Sequence, residues 1–557
     1  MWAARLRLLW GHLRGPDYMA LVVAVVLGLI LRVWGLGFGL PFIYHYDEHL
    51  IVNAALNLGR GVISNPLIMP GLSNVLFLEY ALYYVSRLLS GVVTSPAEFA
   101  ALYRADPSVF YLLGRITVAV LSTLSIPLVW NLGRQCYGKT VGNLAAIVLA
   151  VSFLHVRDSH YSVPDTVMPV FLLIALILAL RGCASCRVRD VALAAFAGGA
   201  ATAMKWSAIA VFVPISVAMM EVSKRTWAKM AVPKGVFLAC LCLFAGFFVV
   251  TPQVILSPRM YIDAGIAQAR ADQAGGYDQW RIDSVSGWGF YLKTLYRGLG
   301  LPLLLACTVG AGITAYTYVT DRDRRTSLLV LFGFPLAYYL AMGSSRRYFA
   351  RYALPLIPFA ALLAAVAIEA LSSRLLGGRI RRPLLFVITV CCLAIPFVAS
   401  VRHDALLTRI DTRTLAKQWV EANLPQGASI AVDWPTHGPP LATQSVSVPS
   451  STRFYRVEAI GGTGLADHSI AWYRSQGYEY LIASSFIYNL DTVSTEANPE
   501  RRAFYDRLDT DLDRVQAFWP GEAGVEPPFV FDEIYGPFIS LWQRERPGPV
   551  LKIYRLE

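Results

Sequence analysis

Apolar and polar positions follow one another in long blocks rather than alternating residue by residue. Eleven apolar runs occur, at 18–36, 109–132, 141–156, 164–180, 191–204, 207–220, 236–250, 290–319, 327–342, 353–371 and 384–401. A perpendicular helix needs about 20 apolar residues to cross a hydrocarbon core, so the shorter runs predict tilted or broken spans. A further stretch, 66–89, is interrupted by Glu79 and closed by Arg87, which predicts an amphipathic helix lying in the membrane interface. Beyond 401 the blocks shorten. There 411–427 reads as a helix ended by Pro and Gly, ASIAVD and YEYLIASS as buried strands, 501–514 as a helix and PVLKIYRLE as a closing strand. The fold class expected is a polytopic α-helical membrane protein of about 11 transmembrane helices with a C-terminal α/β domain. Residues 1–401 form the membrane unit, with a first outer loop at 37–108, and 402–557 form the soluble unit.

Composition agrees: 56% of the 557 residues are hydrophobic and only 15% charged, the balance of a membrane protein. The net charge of +12 does not point to nucleic acid, because the basic residues gather in short loops where they suit anionic lipid headgroups. Those loops carry Arg134 and Lys139; Arg181, Arg187 and Arg189; Lys224, Arg225, Lys229 and Lys234; Arg322, Arg324 and Arg325; and Arg374, Arg379, Arg381 and Arg382. With the basic N-terminus, read as an uncleaved signal anchor, they fall on the cytoplasmic side by the positive-inside rule. A crossing by 66–89 would invert every later loop. None of the eight cysteines lies beyond 401, which excludes a disulfide scaffold in the tail. Cys183 and Cys186 are spaced like half a zinc site, but no second pair accompanies them.

The chemistry collects on the opposite, outer face. It receives PFIYHYDEHLIVN (41–53), HVRDSHYSVPD (155–165), Lys205–Trp206, the loop 251–289, SSRRYFARY (344–352) and the tail. Ionisable groups beside hydrocarbon cost a few kcal/mol and mark function. Each group also has a plain structural reading. Asp47 and Glu48, or Asp165 beside Pro164, would suit a helix N-terminus. Lys205 could snorkel, and Arg346, Arg347 and Arg351 could face headgroups. Acids and bases concentrated at one face suit a substrate on an anionic lipid carrier. Lys or Arg would stabilise a phosphate leaving group, and Asp47 or Glu48 would serve an acceptor hydroxyl as general base, the other orienting it. Asp47, Glu48 and His49, with His45 close by, also offer oxygen and imidazole ligands to a divalent ion. An ion-coupled transporter or lipid-linked sugar flippase predicts acids near the middle of spans and internal symmetry, neither of which is seen. A non-catalytic scaffold gives no reason for the clustering.

The order YDEH after the first span, then GRITVAVLSTLSIPLVWNLGRQCYGKTVGNLAAIVLAVSFLHVRDSHYSVPDTVMPVF, GGAATAMKWSAIAVFVPI, RYFARYALPLIPFAALLA and DTRTLAKQWVEANLPQGASIAV, resembles the GT-C glycosyltransferases. Within them it is similar to the protein O-mannosyltransferase and aminoarabinose-transferase branch, the phospholipid-carrier-dependent enzymes of glycosyltransferase family 39 and its bacterial relatives. The resemblance covers most of the chain. It implies an extracytoplasmic site, two interface helices in the first outer loop, a polyprenyl-phosphate sugar donor and a glycan, lipid or protein acceptor. A hexose or pentose would move, with inversion, and no cofactor is required. The family's catalytic aspartate maps to Asp47, with Glu48 its acidic neighbour, and the second acidic position maps to Asp165. Lys205 and Arg351 fall where basic residues approach the donor phosphate, with Arg346 and Arg347 alongside, and Arg115 matches a family arginine. His49, His160, Tyr161 and Trp206 sit in the same motifs as supporting residues. The chain departs in one place: Met69-Pro70-Gly71-Leu72 stands where the mannosyltransferases carry a His-Pro-Pro-Leu-Gly-Lys-like stretch, which weakens the case for a protein acceptor. The tail is unlike the β-trefoil of the eukaryotic enzymes, which points to a bacterial plasma-membrane protein.

Overall fold

The computed structural model describes residues 16–63, 70–226, 232–274, 286–346, 348–375, 381–434, 436–462, 464–492, 499–529 and 539–556. Helix α1 (Pro16–Val33) leads into α2 (Tyr46–Gly59), α3 (Gly71–Leu89) and α4 (Pro96–Ala105). There follow α5 (Ser108–Tyr137), α6 (Lys139–Val151), the short α7 (Phe153–Asp158), α8 (Met168–Ser185) and α9 (Val188–Met204). A 3-10 turn (Trp206–Val211) opens α10 (Phe212–Thr226), and α11 (Val232–Val250), the short α12 (Gln253–Leu256) and α13 (Pro258–Ala274) come next. Helices α14 (Gly287–Leu299), α15 (Leu301–Thr320) and α16 (Arg325–Ser344) precede a second 3-10 turn (Ala350–Leu356), α17 (Ile357–Leu375) and α18 (Arg381–Leu407). Among the described residues seven helices are long and apolar enough to cross a membrane, with shorter apolar helices at Tyr18–Val33, Lys139–Val151 and Lys234–Val250. The chain is a multi-pass membrane protein.

The apolar runs lie largely on helix, but those at 141–156 and 290–319 are each two helices rather than one. Gly300, at φ +78°, caps α14 in a left-handed conformation that favours glycine, and Pro302 opens α15, where a missing N–H costs nothing. Within the bundle α9 and α11 touch backbone to backbone. A Cβ on Gly199 would lie 1.9 Å from the Leu243 carbonyl oxygen, and one on Gly246 1.9 Å from that of Phe196. Helix α3, formed from the amphipathic stretch, lies across helix ends. A Cβ on Gly71 would meet the Ala203 carbonyl oxygen at 2.5 Å, at the end of α9. Asn74 donates to the Val250 carbonyl (2.6 Å) at the end of α11, and Tyr80 to that of Phe110 (2.9 Å) at the start of α5. The stretch 37–108 thus holds three helices, α2, α3 and α4.

The tail opens with α19 (Thr412–Asn423), capped by the Asp411 carboxylate. Its sheet comprises β1 (Ser429–Asp433), β2 (Arg456–Ile460), β3 (Tyr480–Ser484), β4 (Asp513–Phe518) and β5 (Leu551–Arg555) in the order β2-β1-β3-β5-β4. The first three pair in parallel and β5 runs antiparallel to both its neighbours. Helices α20 (Ile470–Ser475), α21 (Ser485–Tyr488) and α22 (Pro499–Asp511) complete it. The central strands β1 and β3 are buried throughout and were legible as apolar runs; the edge strands β2 and β4 are largely exposed and carry no such signal.

Candidate active site

Asp47 and Glu48 occupy the first turn of α2. Successive helical residues point about 100° apart, so adjacent acids face different surroundings. Glu48 faces inward. Its carboxylate accepts from Arg115 Nε (2.8 Å) and Nη2 (2.7 Å) of α5 and from the Ser162 N–H (2.8 Å). Arg115 Nη1 donates in turn to the Leu36 and Phe38 carbonyls (2.8 and 2.7 Å), and neither side chain is exposed. Burial would raise the Glu48 carboxyl, but the Arg115 guanidinium outweighs it and holds the group below the ordinary carboxylate range. Arg115 and Glu48 together therefore join α5, the turn at 36–38 and the segment at Ser162 to α2.

Asp47 faces the other way. Its carboxylate lies 3.4 Å from Arg351 Nη2, with about a fifth of each side chain exposed. Arg351, from the 3-10 turn before α17, lies 4.3 Å from the Phe349 ring centroid and 5.9 Å from that of Tyr352. Lys205, which follows α9, places its ammonium 4.2 Å from the Tyr352 centroid and pairs with Asp165, ahead of α8. The Tyr352 carbonyl is fixed by the Tyr338 hydroxyl at 2.9 Å. Asp47, Arg351, Tyr352, Lys205 and Asp165 thus form one continuous chain of charges and one ring. Tyr352 does not stand out in the sequence, although an aromatic beside Arg351 is a signal for a cation platform.

The other candidates scatter around this chain. Arg346 is exposed, and Arg347 lies outside the described residues. His49 bonds through Nδ1 to the Tyr111 hydroxyl (2.9 Å), and burial lowers its affinity for a proton. Tyr161 is buried against the His45 ring (centroids 4.4 Å apart), and Trp206 packs on Phe247 (5.6 Å). His160 is buried between the Val156 and Trp34 carbonyls. From the tail, Arg413 is fixed by Asp411 (2.8 and 2.7 Å), donates to the Thr436 carbonyl (2.8 Å) and lies 3.8 Å from the Tyr44 ring centroid. Tyr44 also bonds to Thr414 (2.7 Å). The segment that delivers Asp47 is therefore held by Arg115 on one side and by the tail on the other. Arg413 stands in the DTR sequence that caps α19, a motif whose second role only the tertiary contact reveals.

The residues considered for a metal do not converge as ligands. Both Glu48 oxygens are taken by Arg115, Asp47 turns to Arg351, and His49 turns to Tyr111. Among the described residues one trio closes to ligand spacing, His160, His403 and Asp404, buried between α7, α8 and α18.

Along α2, from Tyr46 and His49 on either side of Asp47 and Glu48 to Leu58, opens a cavity of about 650 Å³. One wall is a face of α2, with Tyr46, His49, Leu50, Asn53, Ala54, Asn57 and Leu58. Pro41 to Tyr44 ahead of α2, Pro70 and Ser73 of the α3 start, Gln253 and Tyr261 after α11, and residues between Thr436 and Pro449 of the tail supply most of the rest.

Residues 112–249 match the family described as Dolichyl-phosphate-mannose-protein mannosyltransferase. No curated protein matches the chain in sequence. Among solved structures, the oligosaccharyltransferase of the archaeon Archaeoglobus fulgidus in its apo form aligns at TM-score 0.53 and 11% identity, over 88% of this chain and 72% of that one. The oligosaccharyltransferase AglB of the same organism, with an inhibitory peptide and a dolichol-phosphate, aligns at TM-score 0.50 and 13% identity, over 87% and 72%. The chain thus shares the fold of this membrane oligosaccharyltransferase and is similar, over 112–249, to the mannosyltransferase family.

Proposed function

We propose that the chain transfers a sugar from a polyprenyl-phosphate carrier to an acceptor hydroxyl, with Asp47 as general base. The site would lie at the extracytoplasmic face of a bacterial plasma membrane, with the tail outside and the N-terminus in the cytoplasm. The observation that carries this reading is the continuity of Asp47, Arg351, Tyr352, Lys205 and Asp165. Two cations partly open to solvent suit a phosphate that must leave with negative charge. An acid of the same chain lies where a hydroxyl can reach it. The family match and the fold likeness support it, and one of the similar structures, that of AglB, is a complex with a dolichol-phosphate.

The acceptor oxygen attacks the sugar C1 as its proton passes to Asp47. The bond from C1 to the phosphate oxygen breaks, and its electron pair departs on the lipid phosphate, facing Arg351 and Lys205. A single displacement of this kind inverts C1. The Asp47–Arg351 pair orders the events. A donor phosphate competes with Asp47 for Arg351, and a carboxylate relieved of a guanidinium partner takes a proton more readily. Donor binding thereby prepares the base. Asp165 holds Lys205 toward the same phosphate.

The test is Asp47→Asn in purified, lipid-reconstituted protein. Transfer should fall by about 10²–10⁴-fold, the usual share of general-base catalysis, while the melting temperature holds and donor affinity stays the same or rises. Near-normal turnover would overturn the assignment.

A further inference from the structure

The cavity beside Asp47 differs in character from the charged chain. Among the described residues that line it, none carries a charged side chain; its polar groups are Asn53, Asn57, Ser73, Gln253 and Thr436, with His49. Burial keeps that imidazole from taking a proton readily. Gln253 is locked by reciprocal amide bonds to Asn74 (2.7 and 3.0 Å), so the wall is set before any ligand arrives. Tyr44, Tyr46 and Tyr261 add aromatic side chains. Asp47 heads a row on α2 that runs through Leu50, Ile51, Ala54 and Leu58, spaced three and four residues apart. Those four all line the cavity and Asp47 does not, so a molecule lying along this row comes within one helical turn of Asp47.

We propose that this cavity is the acceptor subsite and takes an uncharged saccharide, one of whose hydroxyls it presents to Asp47. The proposal rests on the glycosyltransferase reading and adds to it the chemical class of the acceptor. Side-chain amides pair with hydroxyls in both senses, donating and accepting, and aromatic faces suit the C–H faces of sugar rings. The volume falls within the range of small-ligand sites. An anionic acceptor would give up its hydration here with no cation lining the cavity to replace it. A lipid tail is disfavoured because one wall is a face of α2, outside the helices long and apolar enough to cross a membrane, and hydrocarbon there would lie against Asn53 and Asn57 of α2 and Thr436 of the tail. A peptide is disfavoured because no described strand lines the cavity, so the main chain would find no sheet edge to extend. The tail thereby helps to select the acceptor.

The experiment measures binding alone, without donor, on the full chain in lipid nanodiscs. Saturation-transfer NMR would be run with neutral mannobiose, arabinobiose and maltotriose, with their phosphorylated or uronate counterparts, and with a serine-containing peptide. At least one neutral saccharide should bind wild type and Asp47→Asn equally, and its charged counterpart at least tenfold more weakly. Ala54→Trp, which fills the cavity from α2, and Val446→Trp, which fills it from the exposed tail loop, should each weaken binding at least tenfold. The second variant stands if the first fails to fold. Equal or better binding of the charged analogues, preferential binding of the peptide, no binding by any neutral saccharide, or indifference to both tryptophans would each overturn the proposal. Because Asp47→Asn is read here for binding and in the transfer assay for turnover, failure of the base assignment and failure of the acceptor class give different results.

Discussion

Two acids one residue apart, each facing an arginine, have opposite fates in this molecule. Glu48 is sealed against Arg115 with no exposure and each oxygen bonded. Asp47 meets Arg351 at 3.4 Å, part open to solvent, through a longer contact. The difference separates structure from chemistry. A sealed pair exchanges nothing with a substrate, since every bond is already spent on a neighbour. A loose, partly open pair can be broken by an incoming phosphate at little cost. The same contrast recurs beside it. Arg413 and Asp411 are buried and lock the tail to Tyr44, whereas Lys205 keeps a partial exposure above Tyr352.

The sharpest way to break the comparison is to unbalance the sealed pair. Glu48→Gln leaves the Arg115 guanidinium buried without its counter-charge, which costs about 3–5 kcal/mol in comparable pairs. A large fall in melting temperature is expected. Glu48→Met combined with Arg115→Met should recover much of that loss, because an apolar pair of similar volume strands no charge. A melting curve for Glu48→Gln that overlays wild type would show the pair to be idle.

Acid should act on the same region. Burial pushes the His45 imidazole down to about 4, so the unfolded chain takes its proton first as pH falls. The folded state then loses stability between about pH 6.5 and 4, by about 3 kcal/mol at the lower end. Glu48, held below the ordinary carboxylate range, contributes stability that is complete above that range and disappears below it. Both signs agree: the loop around α2 is most stable near neutrality and weakens steadily in acid. His45→Phe should flatten the upper part of a melting-temperature profile taken from pH 7.5 to 4. An unchanged slope would remove His45 from the account.

Much of this frame was legible in the sequence, for identifiable reasons. Spans announce themselves because backbone in hydrocarbon must be helical and the helix apolar. Asp47, Asp165, Lys205 and Arg351 stood out because charge beside apolar runs is costly. What stayed hidden depended on long-range packing. Nothing in the DE doublet told which acid would turn inward, since that is decided by Arg115, 67 residues on. The break at Gly300 was masked by the apolar residues around it, which outnumber Lys293 and Arg297 on its N-terminal side. Strands β2 and β4 escaped because edge strands need no apolar alternation. Arg413 reads locally as part of a helix cap, and only the folded tail shows it stacked on Tyr44.

The smallest expected effect on stability belongs to the open pair, and it is the most telling about function. Arg351→Ala removes an ion pair that is about one-fifth exposed, and such pairs contribute about 0–1 kcal/mol. The melting temperature should therefore barely move. Donor affinity should fall by about tenfold to a hundredfold, the equivalent of one hydrogen bond to a charged group. Saccharide binding in the neighbouring cavity, measured without donor, should stay within twofold of wild type. Equal losses on donor and acceptor would assign Arg351 to the scaffold, alongside Arg115, and erase the distinction between the open and the sealed pair.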